Sequence, residues 1–243
     1  MSSSTSNNNT TSQKFILLYG IYDDLFKACF GKDKEWPCKL VSLPKDCDRS
    51  LLSITLSNPN LTSVVIDSIE IPHWDTIIQH YKNGGFVTFF GIIGEYAIPD
   101  YLGQIIGRPW KFYSYTRITI RVTDIGNEVL GADADITGKE VYVKCNFVNA
   151  PAEDRIMSGK LVSFDEYVRE NYGIEKLDNL DMDDMEDVNE ARRYYPNSME
   201  EQNRQAPLVM HRANNGGKFA YLGFVNGDGM IPVIVRKLLS CTK

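Results

Sequence analysis

Residues 81–96 read Tyr-Lys-Asn-Gly-Gly-Phe-Val-Thr-Phe-Phe-Gly-Ile-Ile-Gly-Glu-Tyr, and this stretch constrains the fold more than any other. Gly84-Gly85 stops a helix, residues 86–90 form an apolar strand, and residues 91–94 make a glycine-flanked turn. A strand with no polar alternation is buried on both faces, so layers are required above and below it. In open α/β sheets the turn after such a strand commonly carries a nucleophile or cradles a ligand. Its centre here is Ile92-Ile93, without Cys, Ser or His.

The same pattern occurs three times upstream. Residues 14–19 are a short apolar run closed by Gly20. Apolar positions 22, 25, 26, 29 and 30 then mark one helical face, with Asp23 and Asp24 in the favoured first turn. Residues 38–43 read as a second strand stopped by Pro44, and Asp48 caps a short helix through Leu56. Residues 63–67 are a third buried strand, and Pro72 takes the first position of a helix through Tyr81. Repeated strand–helix units predict a mostly parallel sheet with helices on both faces: a flavodoxin-like three-layer α/β/α sandwich.

Beyond Gly94 the pattern changes. Residues 99–107 predict a short helix ended by Gly107. Residues 117–122 alternate strictly, which predicts a half-exposed strand with Arg117, Thr119 and Arg121 on one face. Residues 140–148 form another strand. Residues 162–205 are mostly polar, and residues 178–190 hold seven acids and no base, either a partly helical excursion or a loop. Residues 207–210 and 217–223 read as strands joined by a Gly216-Gly217 hairpin, before a final helix from about Gly229 to Leu239. The expected organisation is a disordered tail over residues 1–13 and one domain over residues 14–243, with an acidic insertion at about 162–205.

Composition narrows the function classes. At 243 residues, 43% hydrophobic and 11% aromatic, the chain can bury a core of its own. A net charge of −6 without any Lys/Arg cluster argues against a nucleic-acid surface. No apolar run approaches the roughly 18 residues of a membrane span. Residues 1–12 are Ser, Thr and Asn after the initiator, without the basic start and apolar stretch of a secretory signal. A cytoplasmic protein is expected, acting without nucleic acid or membrane. Five cysteines form no CxxC pair, and their odd number favours free thiols.

Three stretches carry a family resemblance. Residues 82–91 resemble the helix–Gly-Gly–strand segment of class I glutamine-amidotransferase-like domains, the trehalose-utilisation type among them. Residues 99–117 and 217–226 are similar to segments of uncharacterised, mostly fungal members of that superfamily. The resemblance spans roughly residues 14–150 and 206–240 and implies the same α/β sandwich. It also implies a Cys in the turn after Phe90 and a late His-x-Glu pair. Neither is present: the turn is Gly91-Ile92-Ile93-Gly94, and the residue two beyond His211, the last histidine, is Ala213. A branched aliphatic side chain cannot attack a carbonyl.

Candidate site residues follow from placement. Glu95 after the turn, Asp67 ending the third strand and Asp23 after the first could converge at the carboxyl edge of the sheet. Close carboxylates suit acid–base work or a cation; alternatively Asp23 caps a helix, Asp67 bonds loop amides and Glu95 is solvated. His73 and His80 lie seven apart on one predicted helix, a spacing that does not suit a metal pair. His73, next to Trp74 near the strand edge, is the better candidate of the two. Arg108, Lys111, Arg117 and Arg121 bring charge to the aromatic run 110–115, either to grip an anion or to pack their stems. Tyr96 and Asn226 complete the candidate ligand set with Gly91, Ile92, Ile93 and Gly94.

The reading is therefore a non-catalytic amidotransferase-like domain that acts by binding or by homo-oligomeric self-assembly, with no cofactor and no metal. The alternative is a hydrolase or lyase on a small polar, sugar-like substrate, with Glu95, Asp67 and His73 doing the acid–base work.

Overall fold

Five strands run parallel: β1 (Phe15–Tyr19), β2 (Lys39–Leu43), β3 (Leu61–Ile66), β4 (Phe86–Phe90) and β10 (Lys218–Leu222). They lie in the order β2-β1-β3-β4-β10. The computed structural model describes residues 13–21, 23–91, 97–131, 136–160, 163–175, 177, 182–195, 204–224 and 229–240. Predicted strands and helices from residue 14 to residue 91 all form, with small shifts at their ends.

Helices cover both faces because successive strand side chains point to opposite sides. Ile16, Leu18, Val65, Phe86 and Phe90 meet α1 (Asp23–Phe30) through Phe26 and Phe30, and α8 (Ile231–Ser240) through Ile231, Ile234 and Leu238. Leu17, Val64, Ile66, Val87 and Phe89 meet α2 (Arg49–Leu56), α3 (Trp74–Lys82) and α4 (Ile98–Ile106) through Leu52, Ile77, Tyr81 and Leu102. The result is a three-layer α/β arrangement.

The sheet does not stay parallel. Antiparallel strands β9 (Leu208–Arg212), β7 (Arg155–Gly159), β5 (Lys111–Val122), β6 (Glu140–Asn149) and β8 (Gln205–Ala206) continue it beyond β10, giving four parallel and five antiparallel pairings among the described residues. Only Pro207 separates β8 from β9, yet β8 holds β6 while β9 holds β7. Since β5 also pairs with both β6 and β7, these strands form a closed ring. β9 turns into β10 through residues 213–217, with Gly216 at φ 87°, as the Gly-Gly hairpin predicted.

Two expectations change, at Pro72 and along β5, and a third, the polar segment, is settled between its two alternatives. Pro72 precedes the N-cap rather than opening α3; the cap is His73, at φ 67°. The aromatic run 111–115 is the first half of β5, so the alternating segment is the end of a longer strand. Thr119 is buried while Arg121 is exposed, so the face that the alternation assigned to solvent is covered at Thr119, and β5 is not an edge strand where β6 and β7 flank it at residues 120–121. The polar segment after residue 162 is substantially helical, with α6 (Phe164–Tyr172) and α7 (Met182–Tyr194) sending Tyr167, Val168, Val188 and Ala191 into the same core as α1 and α8. The helix that precedes these, α5 (Asp124–Leu130), is capped by Thr123, whose hydroxyl accepts from the Gly126 amide.

Candidate functional site

The carboxyl ends of β1, β3, β4 and β10 share one edge because these strands are parallel. The chain leaves β1 for β2 on one side and returns to β3 on the other, so strand order reverses between β1 and β3. Ligands of open α/β sheets sit in the crevice at such a reversal. Asp67 follows β3 there and is only 9% exposed. Gly20 ends β1 at φ 72°, its amide donating to Leu43 O.

Tyr19 ties this edge together. Its hydroxyl lies 2.6 Å from Pro72 O and 3.0 Å from Lys45 O, joining the loop after β2 to the loop after β3. Burial, with the charges of Cys47 and Asp46 adding to it, pushes the phenol up to about 12. The hydroxyl therefore remains a donor at neutral pH.

His73 is committed to structure at the same edge. Its Nδ1 receives Arg49 Nε at 3.4 Å, and its Nε2 lies 3.2 Å from Cys47 O. Arginine only donates, so Nδ1 is the acceptor and Nε2 carries the proton. Arg49 also grips both oxygens of Asp75, at 2.6 and 2.7 Å. The imidazole thus binds the start of α2 to the start of α3, with both nitrogens used.

Gly91 closes β4. Its amide donates to Leu222 O at 2.8 Å, and a Cβ there would lie 2.5 Å from the Tyr221 hydroxyl. Tyr221 is fixed by stacking on Phe89. The close approach requires glycine. Ile92, Ile93, Gly94, Glu95, Tyr96 and Asn226 lie outside the described residues, as does the side chain of Asp23. Asp67 and His73 belong to no cluster of three or more His, Cys, Asp or Glu able to hold a metal among the described residues.

Arg108 is drawn into a second polar centre. Its Nε donates to Asp154 Oδ2 at 2.8 Å, its Nη2 to Glu153 Oε1 at 2.6 Å, and Trp110 Nε1 donates to Asp154 Oδ2 at 2.7 Å. His211 Nδ1 stands 3.6 Å from Asp154 Oδ1. Asp154, presented by a short 3-10 turn after Pro151, is 2% exposed, and Trp110 is buried beside it. The Arg108 guanidinium holds the Glu153 carboxyl below the usual carboxylate range. Burial, reinforced by the Asp154 charge, pushes the Tyr81 phenol up.

This cluster does not share the β4 turn's edge. His211 pairs with Phe219 near the start of β10, whereas Gly91 bonds Leu222 at its end. Three residues of strand separate the two levels, about 10 Å. Arg108 and Trp110 are visible in the sequence as charge beside aromatics, but their acceptor is 46 residues away from Arg108. An Asp after Pro-Ala-Glu offers no local signal for it. No family model matches the chain, and no curated protein matches it.

Proposed function

We propose that this chain is a class I glutamine amidotransferase-like domain of flavodoxin-like type that has no glutaminase chemistry and acts by binding or by homo-oligomeric assembly. The strand order β2-β1-β3-β4-β10 supports the fold reading, since it follows the 2-1-3-4-5 order of flavodoxin-like sheets. The observation that carries the functional half is the separation of the two ends of β10. The turn after Gly91 offers only aliphatic side chains, and His211 stands three residues down the strand beside Asp154. A nucleophile–base pair needs hydrogen-bond reach, not a separation of about 10 Å.

Ammonia release from glutamine by the full chain tests the catalytic half; no turnover above the blank is expected, and enzyme-level hydrolysis would overturn it. Light scattering behind size exclusion tests assembly.

One observation favours a small-ligand reading as well. Asp67 is a buried carboxylate at the strand-order reversal, where a polar ligand would meet it. On that reading Asp67→Asn abolishes the thermal shift given by a sugar-acid or polyol ligand that stabilises the wild type. An unchanged shift would remove Asp67 from the site.

A further inference from the structure

The two ends of the sheet differ. At one end β8 returns on β6, and Gly223-Phe224 also meet β6 through the Gly223 O to Asn146 N–H bond and the Cys145–Phe224 bridge. At the other end β2 pairs with β1 alone, and its outer side meets no strand along its whole length among the described residues.

Hydrogen bonds identify which backbone groups point outward. Lys39 N–H donates to Lys14 O, and Leu43 O accepts from Gly20 N–H, so residues 39, 41 and 43 address β1. By alternation the N–H and C=O of Leu40 and Ser42 point away from the sheet. Two outward residues flanking one inward residue form a self-complementary edge. A second copy running antiparallel would exchange both bonds between Leu40 and Ser42 of each chain, with Val41 facing Val41. In that register the two Lys39 side chains fall at opposite ends of the seam.

Charge selects the same occupant. Each chain carries −6, so two copies repel least where they carry no charge. Residues 40–43 and 50–66 contain no ionisable Asp, Glu, Lys, Arg or His. Within the second stretch α2 exposes Leu51 at 47% and Ile54 at 70%, large apolar groups on a helix face that carries no charge after Arg49. α2 stands on the sheet face to which Val41 and Leu43 contribute, and an antiparallel seam keeps that face of both copies on one side. A five-residue edge alone falls short of the about 800 Å² per partner of a standard interface, and α2 supplies further apolar surface.

We infer that β2 pairs with β2 of a second copy about a two-fold axis through Val41, with Leu51 and Ile54 of α2 in the same interface. This rests on the proposed self-association and names its surface. Sedimentation velocity on the full chain, over a wide concentration range, tests it with Ser42→Pro and Ile54→Lys. Proline at 42 deletes an outward donor and leaves the bonds to β1, as an edge position tolerates. Lysine at 54 changes only an exposed position.

The wild type is expected to dimerise, and each variant to raise the dissociation constant about tenfold or more, with unchanged circular dichroism. A wild type that assembles while Ile54→Lys and Ser42→Pro assemble as tightly overturns the surface but leaves self-association standing. A wild type that is monomeric throughout overturns both. Should Ser42→Pro fail to fold, Ile54→Lys decides alone.

Discussion

Removing the Asp154 carboxylate provides the sharpest test of the polar centre. Asp154→Ala leaves the buried Trp110 N–H without an acceptor and strips Arg108 of its buried partner. An orphaned buried donor costs about 1–3 kcal/mol, and breaking a buried ion pair from one side about 3–5 kcal/mol. Arg108 retains Glu153 and is itself one-fifth exposed, which places the expected loss near the lower part of that range, about 3 kcal/mol. Glu153→Ala is the control: that carboxylate is 65% exposed, and its pair contributes about 1 kcal/mol or less. Urea unfolding of the two variants and the wild type, compared at equal m-value, gives both numbers. Equal losses for Asp154→Ala and Glu153→Ala would falsify the assignment of Asp154 as the buried anchor, and the Arg108 contact would then be a surface pair.

Three other outcomes follow from the described geometry. Gly91→Ala drives a methyl group against the fixed Tyr221 ring and is expected to cost about 1–3 kcal/mol in the same assay; a neutral result would show that β4 relaxes freely there. Thr88 is fully buried on β4 and its hydroxyl has no hydrogen-bond partner among the described residues, so Thr88→Val should be neutral or stabilising by up to about 1 kcal/mol, and a clear loss of stability would reveal a hidden partner. Burial lowers the His80 pKa below its usual 6.5, so the unfolded chain binds the extra proton first as pH falls. His80 therefore adds a decline in stability as pH drops through 6.5 toward the lower folded value, which pH-dependent melts should show and His80→Gln should flatten.

Much of the parallel half was legible in the sequence because its signals are local. Apolar strands, the Asp48 cap, and the Gly84-Gly85 and Gly107 stops are each settled within a few residues. Asp48 does accept from the Ser50 amide, and Gly107 does adopt the left-handed conformation at φ 71°. The antiparallel half was less legible because its order is set by pairing at long range. Nothing around residues 155–159 announces a strand between β5 and β9, and Pro207 hides one run that serves two neighbours. The positions of Asp67, Gly91 and His73, after strands or at a helix start, could be read from the local pattern. The role of His73 depended on Arg49 and Cys47, which lie 24 and 26 residues away in sequence and meet it only where the starts of α2 and α3 come together. Asp154 was missed for the same reason.

The position of β10 has a consequence for synthesis. This strand fills the gap between β4 and β9, and 127 residues (91–217) are made between the end of β4 and its start. Until it leaves the ribosome, β4, apolar at four of its five residues, presents a sheet edge with no neighbour on that side, the kind of edge that recruits other chains. Nascent chains halted between residues 91 and 217 should thus be strong clients of chaperones that bind extended apolar segments, whereas the completed chain, with β10 hydrogen-bonded from Lys218 to Leu222, should not.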